Sequence, residues 1–450
     1  MNITLPSDVK FILDTLENYG YEAYVVGGCV RDSILGIEPN DWDITTSAHT
    51  EEIKSCFEGY HLITIGEQHG TIGIVLDGIT YEVTTYRIDG KYDDNRHPES
   101  VEFTDDVNQD LARRDFTVNA MAYNESDGIV DPYGGERDLQ YMALRCVGNP
   151  DIRFNEDALR ILRALRFASV YNFSIEANTS VSLLKNRSLL NNISVERIAA
   201  EFRKLLCGKN VSFILRRYKD IFAVFIPEIV ATFTCGQNTP HHNKTVWRHT
   251  TSAVANIEAD ELLRTVMFFH DIGKPMALNT DSEGRDHFKG HNHFSAILAR
   301  NILERLKYPT RFTDDAVTLI EYHDERFSDD KKQIKHILKS IGVDNFERLM
   351  KIQLADISAQ SNFMREIKLK NHELAVKTFD EIISNNECFT LKDLAINGSD
   401  LIHLGITHGQ MIGKTLNYLL DSVIDETVEN NNTALKSAAL EYCKQESSRD

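Results

Sequence analysis

The sequence predicts a multidomain chain of two characters, an α/β head followed by a long all-α body and tail. Three observations carry that prediction. Short β-rich runs crowd residues 1 to 147, and apolar residues recur at three- and four-residue spacing from about 150 onward. Gly148 and Pro150 punctuate the change within RCVGNPDIRFNED. At 450 residues and 42% hydrophobic content the chain is too long for one ordinary core and too apolar for disorder.

The elements follow in order. LPSDVKFILDTLENYG reads as an amphipathic helix, with Ser7 or Asp8 as its cap and Gly20 as its stop. YEAYVVGG, HLITIG, GTIGIVLDG and ITYEVTTYR read as strands separated by Gly- and Asp-containing turns. NEDALRILRALRFASVY and SVERIAAEFRKLLCG read as helices. TFTCGQNTPHHNKT, residues 232 to 245, reads as an irregular connection into a further helical module.

Composition narrows the function classes. No apolar run approaches the roughly 20 residues that span a bilayer, and the N-terminus lacks a signal-peptide pattern, so a cytoplasmic protein is expected. Seven cysteines without a CxxC pair argue against a disulfide scaffold or zinc ribbon. A net charge of −19 argues mildly against nucleic acid as a partner. Between Asp151 and Asn210, however, ten basic residues face six acidic ones, leaving that stretch at +4. A basic band in an acidic chain suits RNA running over one surface only.

In YVVGGCVRD, Gly27 and Gly28 follow an apolar strand and precede a helix-like stretch. Glycines there let backbone N–H groups approach phosphates, and Arg31 would add a charge-assisted contact. Taken alone, such a pair is an ordinary tight turn. Asp41 and Asp43 follow in NDWDITT. On a strand, their period of two sets both carboxylates on one face, roughly 6–7 Å apart at Cα. That spacing suits divalent cations gripping a nucleoside triphosphate and an attacking hydroxyl. A DxD alone is a solvated turn in so acidic a chain; the ordered set of GG, Arg-Asp and DxD is far more specific.

This set resembles the head motif of the polymerase-β-like nucleotidyltransferase superfamily, and more closely its bacterial branch of CCA-adding enzymes and poly(A) polymerases. The resemblance implies Asp41 and Asp43 as Mg2+ ligands in a polymerase-β-like nucleotidyltransferase head, with Glu82 in YEVTTYR as the candidate third carboxylate. ARRDFTVNAMAYN resembles a second motif of the family and implies Arg114, Asp115 and Asn119 near ribose and triphosphate, with Gly28 and Arg31. DPYGGERDL resembles a third, coupling head to neck, and RIDGKYDDNRHPESVEF the family's mobile loop.

Beyond the head, residues 148–215 read as a helical neck. Asp157 and Arg160 lie three apart on an expected helix, where the plain reading is a surface ion pair of little worth. In the resembling family EDxxR is an amino-acid template. A carboxylate only accepts and a guanidinium only donates. The pair therefore matches cytosine and adenine, which offer an amino donor beside a ring acceptor, and mismatches uracil and guanine. Arg163 would assist. NISVERIAAEFRKLL resembles the next neck motif, with Arg197, Arg203 and Lys204 as RNA contacts.

Residues 240–360 carry His249, the doublet His270-Asp271, His291, His293, His323 and Asp356. Each alone is more often structural than a ligand. Together they resemble the HD phosphohydrolase signature, which implies His249, His270, Asp271 and Asp356 around a divalent transition metal, with His291 and His323 available to a second metal or a phosphate. The tail, residues 380–445, resembles the part of bacterial CCA-adding enzymes that supports the tRNA elbow.

The expectation is thus CCA addition to tRNA from CTP and ATP, with an HD hydrolase activity besides. Rivals are a poly(A) polymerase or A-adding enzyme of the same family, an HD metal phosphohydrolase with a nucleotide-binding head, and a purely structural RNA-binding protein. The Arg96-His97-Pro98 segment disfavours a CC-only enzyme, because those are associated with a shortened loop.

Overall fold

The computed structural model describes residues 2–90, 100–241 and 244–447, and the Arg96-His97-Pro98 segment lies outside them. The chain divides into two compact units, Met1–Glu228 with Arg305–Lys307, and Ile229–Glu304 with Tyr308–Asp450.

The first unit is built on seven strands: β1 (Ala23–Val26), β2 (Ile44–Thr46), β3 (His61–Ile63), β4 (Thr71–Leu76), β5 (Ile79–Thr85), β8 (Ala122–Asn124) and β9 (Gly128–Val130), with a separate hairpin of β6 (Arg87–Asp89) and β7 (Val101–Phe103). The sheet order is β3-β4-β5-β2-β1-β8-β9. Among the described residues of this sheet only β2 and β5 pair in parallel, with Ile44 beside Val83. Every residue of β1 and β2 is buried, as central strands covered on both faces require.

Helix Ser7–Asn18 covers this sheet through Val9, Ile12, Leu13 and Leu16, the three-and-four spacing read from the sequence. Its cap differs from expectation. Pro6 holds the N-cap position, no side chain caps the helix, and Ser7 and Asp8 fall within the first turn. Pro sets φ near the value a helix start needs and requires no partner for an N–H it lacks. Gly20 ends the segment at φ +91°, as its freedom allows.

The expected single helix through NEDALRILRALRF is broken. Helix Pro150–Glu156, capped by Asn149, ends at Asp157, which is extended (φ −131°, ψ 104°), and a new helix runs Leu159–Val170. Asp157 accepts from the Leu159 N–H (3.0 Å), so its own side chain starts the second helix. Asp157 and Arg160 therefore do not share one continuous helical face. Helix Val195–Leu206 follows as expected and packs beside Leu159–Val170.

The second unit is helical apart from a two-residue hairpin, Asn279–Thr280 with Asp286–His287. No helix among the described residues is long and apolar enough to cross a membrane. All seven cysteines are free.

Candidate active sites

In the first unit, Asp41 and Asp43 lie on the extended run entering β2, just outside the strand, where Asp43 O accepts from Val26 N (2.9 Å). Continuing the β2–β5 register sets Glu82 beside Asp43. Among the described residues none of the three carboxylates has a hydrogen bond or ion pair to protein, and all three are exposed. Asp43 is nonetheless pushed above the usual carboxylate range, first by loss of hydration and then by the charges of Asp41 and Glu82, against the pull of Arg114. A hard divalent cation suits such unpaired, mutually repelling carboxylates. They are not drawn to the spacing of a closed single-ion site; the metal-sized clusters among the described residues are both in the second unit.

Beside them Gly27 turns the chain at φ +81°, and a Cβ there would stand 2.9 Å from Arg114 Nη1. Gly27, rather than Gly28, is thus the glycine this turn requires. Arg114 donates to Asp110 (3.2 Å), and its buried Nε–H has no acceptor.

The other motif residues form a buried chain joining head to neck. Arg31 donates to both Asp32 oxygens (2.9 Å each), to Asn119 Oδ1 (2.6 Å) and to Tyr171 OH (2.7 Å), and lies 4.5 Å over the Tyr171 ring. Asn119 donates on to Asp115 (3.0 Å), and Asp115 accepts from Arg163 (2.8 Å). Burial would raise the Asp115 pKa, but Arg163, Asn119 and Arg160 outweigh it and hold the group at about 2. Arg31, Asp115 and Asn119 therefore grip one another instead of facing an open cleft. Tyr171 is the member of this chain that motif reading missed; only its place at the end of the neck's first apolar helix hinted at it.

The expected Asp157–Arg160 pair is not formed. Asp157 accepts from Arg197 (3.0 Å), while Arg160 donates to Glu156 (2.6 Å) and to the Arg113 carbonyl (2.9 Å). The helix break accounts for it, because Asp157 leaves the face that Arg160 occupies. Arg203 is half-buried and Lys204 exposed on helix Val195–Leu206.

The second unit brings all the expected ligands together. His249 sits in helix Val246–Asn256, His270 and Asp271 at the end of Glu261–Phe269, and Asp356 in Val343–Ala359. His249 Nε2 lies 2.8 Å from Asp356 Oδ1 and 3.4 Å from Asp271 Oδ2; His270 Nε2 lies 3.2 Å from that same oxygen. On the other side His291 Nε2 lies 3.2 Å from Asp271 Oδ1 and His323 Nε2 3.8 Å. His249, His270 and Asp271 make one cluster of metal size, and Asp271, His291 and His323 a second. His293 is exposed beside Glu321 and belongs to neither.

Local folding aims these rings. His270, His291 and His323 each place Nδ1 against the carbonyl three residues earlier, Met267 (2.7 Å), Phe288 (2.9 Å) and Ile320 (2.7 Å). A carbonyl only accepts, so Nδ1 carries the proton and Nε2 turns its remaining site inward. Gly273 lets the turn after Asp271 meet helix His291–Arg305, since a Cβ there would stand 2.5 Å from Ser295 N. Burial would drive the proton off His270, yet Asp271 and Asp356 hold it up to about 10. The cluster demands positive charge, and the N/O donor set fits a divalent transition metal.

A family model described as the poly A polymerase head domain matches residues 23–145, one described as an RNA- and SrmB-binding site of polymerase A matches 172–232, and one for tRNA nucleotidyltransferase domain 2 matches 293–439. The protein is a nucleotidyltransferase, with the sheet-bearing head and helical remainder of that class. A CCA-adding enzyme of Anoxybacillus flavithermus is 35% identical over 434 residues, covering 95% of each chain, and one of Bacillus pumilus 32% identical over 98% of each. The crystal structure of the Bacillus stearothermophilus CCA-adding enzyme in complex with CTP matches at a TM-score of 0.73 and 26% identity, over 98% of each chain. The chain belongs to the family of CCA-adding enzymes.

Proposed function

We propose that this chain completes tRNA 3′ ends by adding C, C and A from CTP and ATP without a nucleic-acid template. Full-length identity to CCA-adding enzymes carries the reading, and the unpaired trio Asp41, Asp43 and Glu82 supports it chemically. In each cycle the terminal ribose hydroxyl of the RNA attacks the α-phosphorus of the nucleotide, the bond to the β-phosphate oxygen breaks, and pyrophosphate leaves. Mg2+ held by the trio would neutralise the triphosphate and lower the cost of ionising the hydroxyl. Gly27 and Gly28 admit the phosphates close to backbone, and the unsatisfied Arg114 Nε–H offers them a donor. Asp157 is the acceptor that reads the exocyclic amine; it exchanges its Arg197 contact for the base, with Arg160 and Arg163 as nearby donors. Arg31, Asp115 and Asn119 act by holding head against neck. Arg203 and Lys204 are assigned to the RNA backbone.

The same reading gives the cluster around Asp271 a second, HD-type activity, hydrolysis of phosphoesters with a divalent transition metal. Three inward Nε2 atoms facing one buried carboxylate support it. Incubating the protein with tRNA lacking CCA, or ending in C or CC, with CTP and ATP supplied separately, tests the first activity. Sequenced products should extend to CCA and stop. Products ending only in A, or in long A tracts, would instead give the A-adding or poly(A) reading.

A further inference from the structure

Beside the Asp271 cluster opens a cavity of about 830 Å³, lined in part by His291, His323 and Asp356. Its lining also carries Lys368, Arg326 and Lys289. Lys368 Nζ donates to Gln360 and lies 3.1 Å from His241 Nδ1, and Gln360 in turn donates to Asp356 (2.7 Å). Lys368 thus stands two hydrogen bonds from a proposed metal ligand, half-buried, with only neutral groups in direct contact. Arg326 and Lys289 have no side-chain partner among the described residues. Asp324 and Glu325 line the cavity too.

Asp356 and Asp324 lie near enough to favour the charge of this half-buried ammonium, but its direct contacts are neutral, so an anion entering the cavity would meet a donor with no carboxylate bonded to it. The volume is that of a one-nucleotide ligand rather than a long strand within the cavity. Resting on the HD-type reading, we infer that this site takes a nucleotide bearing two phosphates. One phosphate ester lies at the Asp271 cluster and the other is held by Lys368 and Arg326. In the hydrolysis a water oxygen bonds to phosphorus, the ester P–O bond breaks, and the released alcohol takes the proton that the water gives up. A free nucleoside bisphosphate and the 3′-phosphorylated end of an RNA present the same chemistry.

The test compares adenosine 3′,5′-bisphosphate, a short oligoribonucleotide ending in a 3′-phosphate, and adenosine 3′-monophosphate. Wild type, Lys368→Gln and Lys368→Arg are each assayed for phosphate release with Mn2+, Co2+ or Ni2+ supplied. Calorimetric binding to chelator-treated protein is measured in parallel. The wild type should prefer one or both doubly phosphorylated probes about tenfold over the monophosphate, the scale of one lost charge-assisted contact. Lys368→Gln should remove that preference in both hydrolysis and metal-free binding, Lys368→Arg should retain it, and CCA addition should be unchanged. The probe preferred identifies the source. Equal binding of mono- and bisphosphate, or no effect of Lys368→Gln, overturns the inference. If no probe is hydrolysed, the HD-type reading falls, and the metal-free binding preference still decides the anion subsite.

Discussion

Replacing Arg31 by alanine separates a phosphate-binding arginine from one that holds the head to the neck. The side chain is buried, donates four hydrogen bonds and lies against the rings of Phe167 and Tyr171. Its loss leaves buried Asp32 without its ion-pair partner and Asn119 Oδ1 without its donor, with Tyr171 OH still beside Asp32. Removing one partner of a buried ion pair costs about 3–5 kcal/mol. For a unit the size of Met1–Glu228, each kcal/mol lowers Tm by about 2–4 °C. The transition of the first unit should therefore fall by roughly 10 °C. Arg31→Lys should recover little, because an ammonium cannot span the forked contacts. Calorimetry reads the shift, and CTP incorporation measured well below the lowered transition reports function. If Arg31→Ala melts like wild type but loses nucleotide affinity, the residue touches phosphate and its buried network is not its role.

Asp41→Ala or Asp43→Ala should abolish CTP and ATP incorporation alike while tRNA binding persists, since one chemical step serves both; wild-type-like incorporation by either would remove the trio from the mechanism. Asp157→Ala should lower the kcat/KM ratio of CTP over UTP by about tenfold or more; an unchanged ratio leaves Asp157 as a helix start and a partner for Arg197. His270→Ala combined with Asp271→Ala should end metal-dependent phosphoester hydrolysis and leave CCA addition near normal, with melting followed alongside because a buried polar cluster is disturbed; full hydrolysis in a folded double variant would refute the HD-type assignment. Asp115, held at about 2 against an ordinary 3.8, binds protons less readily when folded. Its contribution of about 2 kcal/mol is present above about pH 4 and disappears as pH falls toward 2. Acid melts should show wild type losing stability over that window more steeply than Asp115→Asn, and parallel curves would contradict it.

Strand and helix placement in the head was legible because period-two and period-3.6 patterns are local properties of the chain. The residue types clustered around Asp271 were equally legible, although the resemblance rather than spacing chose His291 over His293, two residues on. The chain beyond a helix start decides which ring turns inward: His291 opens its helix with Nδ1 on the Phe288 carbonyl, and His293 points to Glu321 at the surface.

Sequence by itself determined the class of chemistry, since carboxylates, imidazoles and guanidiniums carry their donor and acceptor character wherever they are placed. Tertiary structure decided their partners. Asp157 broke a helix that periodicity joined, because its carboxylate satisfies the Leu159 N–H, and the neighbouring helix then supplied Arg197. Arg31 and Asp115 became a head-to-neck linkage because Tyr171 and Arg163 arrive from 140 and 48 residues away. Lys368 joined the Asp271 cavity through Gln360 and His241, which lies 127 residues distant. Contacts at such separations depend on how helices pack, and no local pattern encodes which buried charge will meet which.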